Sequence, residues 1–236
     1  MRWGAVILAA GRGTRFGRPK QLVELAGTPL VAWSLACFAA MPEIADIVVV
    51  TEPEFVGSVD LLARPRAGTA TLRVVGGGAD RQASAANGIA ALPDRDEGIL
   101  VHDGARPLLR AADVRAAMRV VRPGVAALLA APVVDTIKVV DAGGKVTQTL
   151  ERATLWSAQT PQFATARDLR DAHREAVHRD WPRATDDAAL LERAGLDVRV
   201  VASTPDNFKI TLPGDLARAE ALLQERVRGA EALGSR

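Results

Sequence analysis

The chain has 236 residues, 48% hydrophobic and 25% charged, enough for one globular domain with a sizeable core. Its net charge is only +2, although the pI is near 9.1, and no long basic run occurs. That balance argues against a general nucleic-acid binder. A single cysteine, Cys37, excludes an intrachain disulfide and a cysteine metal cluster. It sits in an apolar run, where it reads as a buried small hydrophobe. No apolar stretch approaches the ~18 residues of a membrane span. The opening Met1-Arg2-Trp3-Gly4 has neither the length nor the cleavage site of a signal peptide. A cytoplasmic protein with no membrane partner is expected.

A first strand is predicted at residues 5–8, running into a glycine-rich loop. Thr28-Pro29 predicts a cap followed by proline at the first helical position, for a helix over 30–40. Short continuous apolar runs at 46–50, 72–75, 98–101 and 125–129 suit strands buried on both faces of a mainly parallel sheet. A helix is predicted over 113–122, stopped by Pro123-Gly124. The β-rich runs 135–140 and 145–150 flank Asp141-Ala142-Gly143-Gly144 and read as a hairpin. It forms an edge ornament or an arm, spanning about 134–153. Helix returns over 167–194, ending at Gly195. A strand at 198–201 and a last helix from 213 to about 228 complete the chain. The alternation implies a single α/β domain over 1–236 with a doubly wound sheet and a protruding β-hairpin arm.

The loop after the first strand reads Leu8-Ala9-Ala10-Gly11-Arg12-Gly13-Thr14-Arg15-Phe16-Gly17-Arg18-Pro19-Lys20. Such a loop lies at the carboxyl edge of the sheet, where ligands bind in these folds. Glycine lets backbone N–H groups approach phosphate oxygens. Two common phosphate loops do not fit. Phe16 occupies the third glycine position of G-x-G-x-x-G, which disfavours a dinucleotide oxidoreductase, and Gly17 is followed by Arg18-Pro19 rather than Lys-Ser/Thr. Arg12, Arg15, Arg18 and Lys20 either surround an anion or splay into water. The chain uses 26 arginines and four lysines. Two of the lysines, Lys20 and Lys209, fall in candidate ligand loops, where an ammonium serves phosphate as a point charge.

L-A-A-G-x-G-x-R followed by P-K resembles the opening of the sugar-nucleotide and related nucleotidyltransferases. Further blocks narrow the resemblance: Gly77-Gly78-Ala79-Asp80-Arg81-Gln82-Ala83-Ser84, Val101-His102-Asp103-Gly104-Ala105-Arg106-Pro107 and Pro132 to Lys138. Glu151-Arg152, Gln159-Thr160-Pro161-Gln162-Phe163, Thr185-Asp186-Asp187 and Asp206 to Thr211 follow. In this order, from about residue 5 to 220, they resemble the 2-C-methyl-D-erythritol 4-phosphate cytidylyltransferases. The family departs from this chain at Ala85, where Val is common, and at Gly104, where Ala is common.

The resemblance implies a Rossmann-like fold and transfer of a cytidylyl group from CTP, with Mg²⁺, to methylerythritol phosphate. It implies that Ala9, Ala10 and Gly11 meet the nucleotide through backbone groups, and that Gly78 and Ser84 line the cytosine pocket. Arg15, Lys20 and Lys209 would hold phosphates, and Asp103 would lie by the Mg²⁺. Arg106 would face the acceptor. Thr136 and Arg152 would bind it from the arm, which in this family crosses to a partner subunit, so a homodimer is implied.

Each role has a plainer alternative. Asp103 could cap the turn after its strand, and Arg152 could be a surface residue paired with Glu151 or Asp135, which contributes little. His102, at the end of a buried strand, reads as a packed, hydrogen-bonded residue. His173 and His178 lie off the spacing of a helix-face metal pair and are expected to be exposed. A cytidylyltransferase for another polyol phosphate, such as ribitol 5-phosphate, and a non-catalytic nucleotide-binding regulator remain as rival readings.

Overall fold

The computed structural model describes residues 1–11 and 22–234. Seven strands form one sheet: β1 (Trp3–Leu8), β4 (Ile44–Thr51), β5 (Thr71–Gly76), β6 (Gly98–Asp103), β7 (Val125–Pro132), β10 (Trp156–Thr165) and β11 (Asp197–Ala202). Two small ladders lie outside it: β2 (Glu24–Leu25) with β3 (Thr28–Pro29), and β8 (Lys138–Val140) with β9 (Val146–Thr149). The helices are α1 (Leu30–Ala39), α2 (Val56–Ala63), α3 (Arg81–Ala91), α4 (Ala111–Met118), α5 (Ala166–His178), α6 (Asp187–Arg193) and α7 (Gly214–Gly234).

The sheet order is β11-β7-β10-β6-β1-β4-β5. Four neighbouring pairs are parallel, while β10 runs antiparallel to both β6 and β7. From β1 the chain adds β4 and β5 on one side, then crosses to place β6 on the other. That reversal opens a crevice at the carboxyl ends of β1 and β6, where α/β sheets bind ligands.

Strand periodicity divides the core into two layers. Trp3, Ala5 and Ile7 of β1 join Leu35 and Phe38 of α1, Val59 of α2 and Val114 of α4. Val6 instead joins Ala85 and Ile89 of α3, Leu169 of α5 and Leu190 of α6. Cys37 is half-buried against the first layer. A third cluster, with Leu25, Leu30, Leu108, Ile210 and Ala219, seats α7 against the β2–β3 turn.

Several expectations need correction. The Leu30 N–H donates to the Val23 carbonyl at 2.9 Å, so no side-chain cap is needed, and Pro29 rather than Thr28 stands at the cap position of α1. Helix α4 stops at Met118, before a tight turn in which Arg122 and Val125 exchange backbone hydrogen bonds at 3.2 and 2.8 Å around Gly124, with φ +79°. The stretch 167–194 is two helices, with Pro182 between them. Strand β10 was absent from the expected elements. Its register shifts between Ala158 and Gln162, and it carries the cis Thr160–Pro161 bond. A proline in the run argues locally against a central strand.

The hairpin forms but is shorter than expected. A register shift between Val139 and Val140 trims the ladder. The Asp141 carboxylate accepts from the Gly143 and Lys145 N–H groups, both at 2.9 Å, and closes the turn.

Candidate active site

A cavity of about 490 Å³ occupies the crevice. Leu8, Ala9, Ala10 and Gly11 leaving β1, Gly77 to Arg81 and Ser84 leaving β5 into α3, and Asp103 to Ala105 leaving β6 line it. Lys209 enters from the loop before α7, and Glu52 to Glu54 form one lip. The walls are tied together by backbone bonds from Ala9 N to Val50 O (2.7 Å), Gly77 N to Thr51 O (2.7 Å) and Gly104 N to Leu8 O (2.9 Å).

Small residues keep the cavity open. A Cβ on Gly77 would lie 2.6 Å from the Ala10 Cβ and 2.9 Å from Ser84 Oγ, and one on Gly78 would lie 2.5 Å from the Ala83 Cβ. Neither contact is tolerable. Buried Ser84 accepts from the Gly78 N–H at 3.1 Å, and Asp80 caps α3 by accepting from the Ala83 N–H at 2.9 Å. Around Gly77, Gly78 and Ser84 the wall thus presents backbone and one hydroxyl, which suits a flat polar base rather than a bulky side chain.

Charge gathers around Asp103 at the tip of β6. Lys209 Nζ lies 3.0 Å from Oδ2, Arg81 Nε 3.4 Å from Oδ1, and Arg106 Nε 3.8 Å from Oδ2. Burial pushes the Asp103 carboxyl upward, but Lys209, then Arg81 and Arg106, outweigh it and hold the group well below the usual carboxylate range. Asp103 is a fixed anion that collects cations beside the cavity.

A buried network fixes this arrangement. Thr160 Oγ1 accepts from the Asp103 N–H at 2.9 Å and lies 3.0 Å from His102 Nδ1. His102 Nε2 lies 3.3 Å from the Arg106 carbonyl and 3.1 Å from Ser34 Oγ. A carbonyl only accepts, so these partners assign the proton to Nε2, and the Thr160 hydroxyl donates to Nδ1. Burial pulls the His102 pKa down to about 4, so the ring is neutral. It is a packed strut, as its position implied. Asn207 Nδ2 donates to Gln159 Oε1 and to the Thr160 carbonyl, both at 2.9 Å, pinning the loop that carries Lys209.

The structure brings together Ala9, Ala10, Gly11, Gly78, Ser84, Asp103 and Lys209. Arg106 stands behind Asp103 and is absent from the lining. Its Nη1 donates to the Asn207 carbonyl at 2.8 Å, directing it toward the Lys209 loop rather than into the cavity. Arg15 and Lys20, with Arg12 and Arg18, lie outside the described residues. Thr136 and Arg152 are not at the cavity. Both are exposed on the arm, where Arg152 Nη1 donates to the Val134 carbonyl at 2.9 Å. Arg152 lines a second hollow at the arm's root, with Val133, Glu151 and Trp156. Among the described residues it forms no ion pair with Glu151 or Asp135.

Three residues inside the sequence blocks, Arg81, Thr160 and Asn207, carry no expected role but hold the charge cluster and its loops in place. Arg81 follows the capping Asp80, at the first position of α3, beside the cavity. His173 corrects an expectation. It is buried, with Nε2 2.9 Å from Asp187 Oδ1, whereas His178 is exposed. The helical period did carry that signal, since His173 shares a face with Leu169, Ala172 and Ala176.

The cavity has Asp103 as its one buried carboxylate, and the described residues hold no group of three or more metal-ligating side chains. That donor set does not build an all-protein metal cage. It fits Mg²⁺ carried in on nucleotide phosphates, which needs only one or two carboxylates from the protein. The Asp103 oxygens retain lone pairs beyond those its cations use.

The family profile described as "IspD: 2-C-methyl-D-erythritol 4-phosphate cytidylyltransferase" matches residues 4–225. The chain is 41% identical over 227 residues to a Microcystis aeruginosa protein of that name, covering 94% of this chain and 99% of the relative. Among solved structures it is similar to 4-diphosphocytidyl-2C-methyl-D-erythritol synthase from Anaerococcus prevotii (TM-score 0.83, 26% identity, 94% and 98% of the two chains). It is also similar to 2-C-methyl-D-erythritol 4-phosphate cytidylyltransferase from Thermus thermophilus (TM-score 0.75, 34% identity, 95% and 100%). The chain belongs to the 2-C-methyl-D-erythritol 4-phosphate cytidylyltransferase family.

Proposed function

We infer that this protein transfers a cytidylyl group from CTP to 2-C-methyl-D-erythritol 4-phosphate, giving 4-diphosphocytidyl-2-C-methyl-D-erythritol and pyrophosphate. The observation that carries this reading is the cavity itself. A glycine-walled polar slot leads to the Lys209–Asp103–Arg81 charge cluster in a chain that matches the family over nearly its full length.

An acceptor phosphate oxygen forms a bond to the α-phosphorus of CTP, and the bond from that phosphorus to the bridging oxygen breaks, releasing pyrophosphate. The acceptor phosphate has a second pKa of about 6 and is already dianionic near neutral pH, so no general base is required. The obstacle is the approach of two anions, and cations placed where charge develops lower it. Lys209, with Arg15 and Lys20 in the glycine loop, fills that role. Asp103 would hold Mg²⁺ on the nucleotide phosphates, where the ion would neutralise charge on the departing pyrophosphate. Ala9, Ala10 and Gly11 offer backbone groups to the nucleotide, and Gly78 and Ser84 line the base. Arg106 positions Asp103 and the Lys209 loop behind the acceptor side. Thr136 and Arg152 bind the acceptor phosphate from a partner's arm in a homodimer.

The same reading takes the chain as a cytoplasmic catalytic domain that bears the arm, with small molecules as its substrates. None of the described helices is long and apolar enough to cross a membrane. The test is pyrophosphate release with CTP and Mg²⁺ and either methylerythritol phosphate or ribitol 5-phosphate. Release with the first alone is expected. Release with ribitol phosphate alone would overturn the acceptor, and CTP binding without release would make the protein a regulator.

A further inference from the structure

Behind the cavity wall lies a buried pair, Asp187 and His173, that the reaction as described does not use. Asp187, the first residue of α6, is 1% exposed. One of its oxygens faces His173 Nε2 at 2.9 Å and the other accepts from Arg81 Nη1 at 2.8 Å. Arg81 in turn reaches Asp103 with Nε at 3.4 Å, and Asp103 holds Lys209 Nζ at 3.0 Å. The side chains of α5 and α6 are thereby linked, through one guanidinium and the Asp103 carboxylate, to the Lys209 ammonium that lines the cavity. Resting on the reaction assigned above, we propose that Arg81, clamped by the Asp187–His173 pair, is a positioning residue that sets Asp103 and, through it, Lys209 for phosphoryl transfer.

Three observations support the proposal. Arg81 lines the cavity while its far side is locked to a fully buried carboxylate, so its fork is fixed at both ends. A guanidinium can bridge two carboxylates in one plane, which an ammonium cannot. Its third nitrogen, Nη2, is buried without a hydrogen-bond partner among the described residues, a cost that a strut serving stability alone would not need to carry. Burial pushes the Asp187 carboxyl upward, but Arg81 and then His173 outweigh it, so Asp187 stays ionised.

Lys209 and Asp103 act on charge that grows during transfer, so displacing them should appear in kcat rather than KM. Arg81→Lys keeps the charge but loses the fork. It is expected to lower kcat about tenfold or more, as small misplacements of catalytic groups do. KM for CTP is expected to stay within about threefold and the melting temperature near that of the parent. Asp187→Asn, which loosens the clamp from the other side, is the second variant should Arg81→Lys not fold. Either variant combined with Lys209→Ala should add little to the loss from Lys209→Ala alone, because the clamp acts through that lysine. Turnover within twofold of the parent, or losses that multiply fully with Lys209→Ala, would overturn the proposal. An unaltered protein that releases no pyrophosphate would instead overturn the reaction itself.

Discussion

Ser84, Asp103 and Thr160 at the cavity are 4%, 8% and 3% exposed, whereas Val134, Val140 and Val146 on the arm are 73%, 53% and 52% exposed. The cavity's polar groups are held by partners from β6, β10, α3 and the loop before α7. The arm has a twelve-residue span from Lys138 to Thr149 closed by its own turn and ladder, and a lone two-stranded hairpin is marginal in water. The contrast teaches that the described cavity wall is held by partners within one chain. The proposed acceptor residues Thr136 and Arg152 stand outward on an element whose apolar residues are exposed.

The largest effects should come from the nucleotide half. Lys209→Ala removes a cation where charge develops, which typically costs roughly 2.7–4 kcal/mol in the transition state. Turnover is therefore expected to fall at least ~100-fold with the fold intact. Lys20→Ala should behave alike. Steady-state rates beside circular dichroism check both, and near-normal turnover would remove the residue concerned from the mechanism. A smaller, different effect is expected on the arm. Arg152→Ala should raise KM for methylerythritol phosphate about tenfold while leaving KM for CTP unchanged, the signature of lost ground-state binding. An equal rise in both constants would mean the two halves are not separable.

The smallest effect lies at the opposite end of the sheet, remote from both halves. Arg2 pairs with Asp46 at 2.6 Å and with Asp96 at 3.2 Å. Burial, then the neighbouring Asp46 carboxylate, pushes Asp96 up to about 6 despite Arg2. With a folded pKa above the unfolded value of 3.8, this group's stabilisation is fully present below about pH 4 and is lost as pH rises through about 6. Asp96→Asn should therefore flatten the fall in melting temperature between about pH 5 and 7, by roughly 2–5 °C, with turnover unchanged. A parallel fall in both proteins would contradict the assignment.

Much of this was legible in the sequence, for identifiable reasons. The buried strands β1, β4, β6 and β7 are continuous apolar runs, and such runs read locally, whereas β5, expected to be buried on both faces, stands at the sheet edge and is half-exposed. The glycines at 77 and 78 and the serine at 84 sit in one short segment, so local spacing already places them together. What was not legible depends on partners far away in the chain. Strand β10 owes its place to pairing with β6 and β7 and hides behind Pro161. Arg81 meets Asp187 across 106 positions, and Arg106 turns to a carbonyl 101 positions away. No local pattern announces such pairings. His173 was legible through the period of α5, but its polarity suggested exposure.

The most direct test of a site divided between two chains mixes two impaired proteins at methylerythritol phosphate well below KM, where the Arg152→Ala defect is fully expressed. Lys209→Ala spoils the cavity of its own chain, and Arg152→Ala spoils the arm. If each site combines one chain's cavity with its partner's arm, a mixed dimer contains one wholly intact site. Pyrophosphate release from an equal, re-equilibrated mixture should then recover to about a quarter of the unaltered rate, as random pairing in a two-fold dimer dictates. A mixture no more active than the average of its two components, with exchange of subunits demonstrated, would place the cavity and the arm of each site on the same chain.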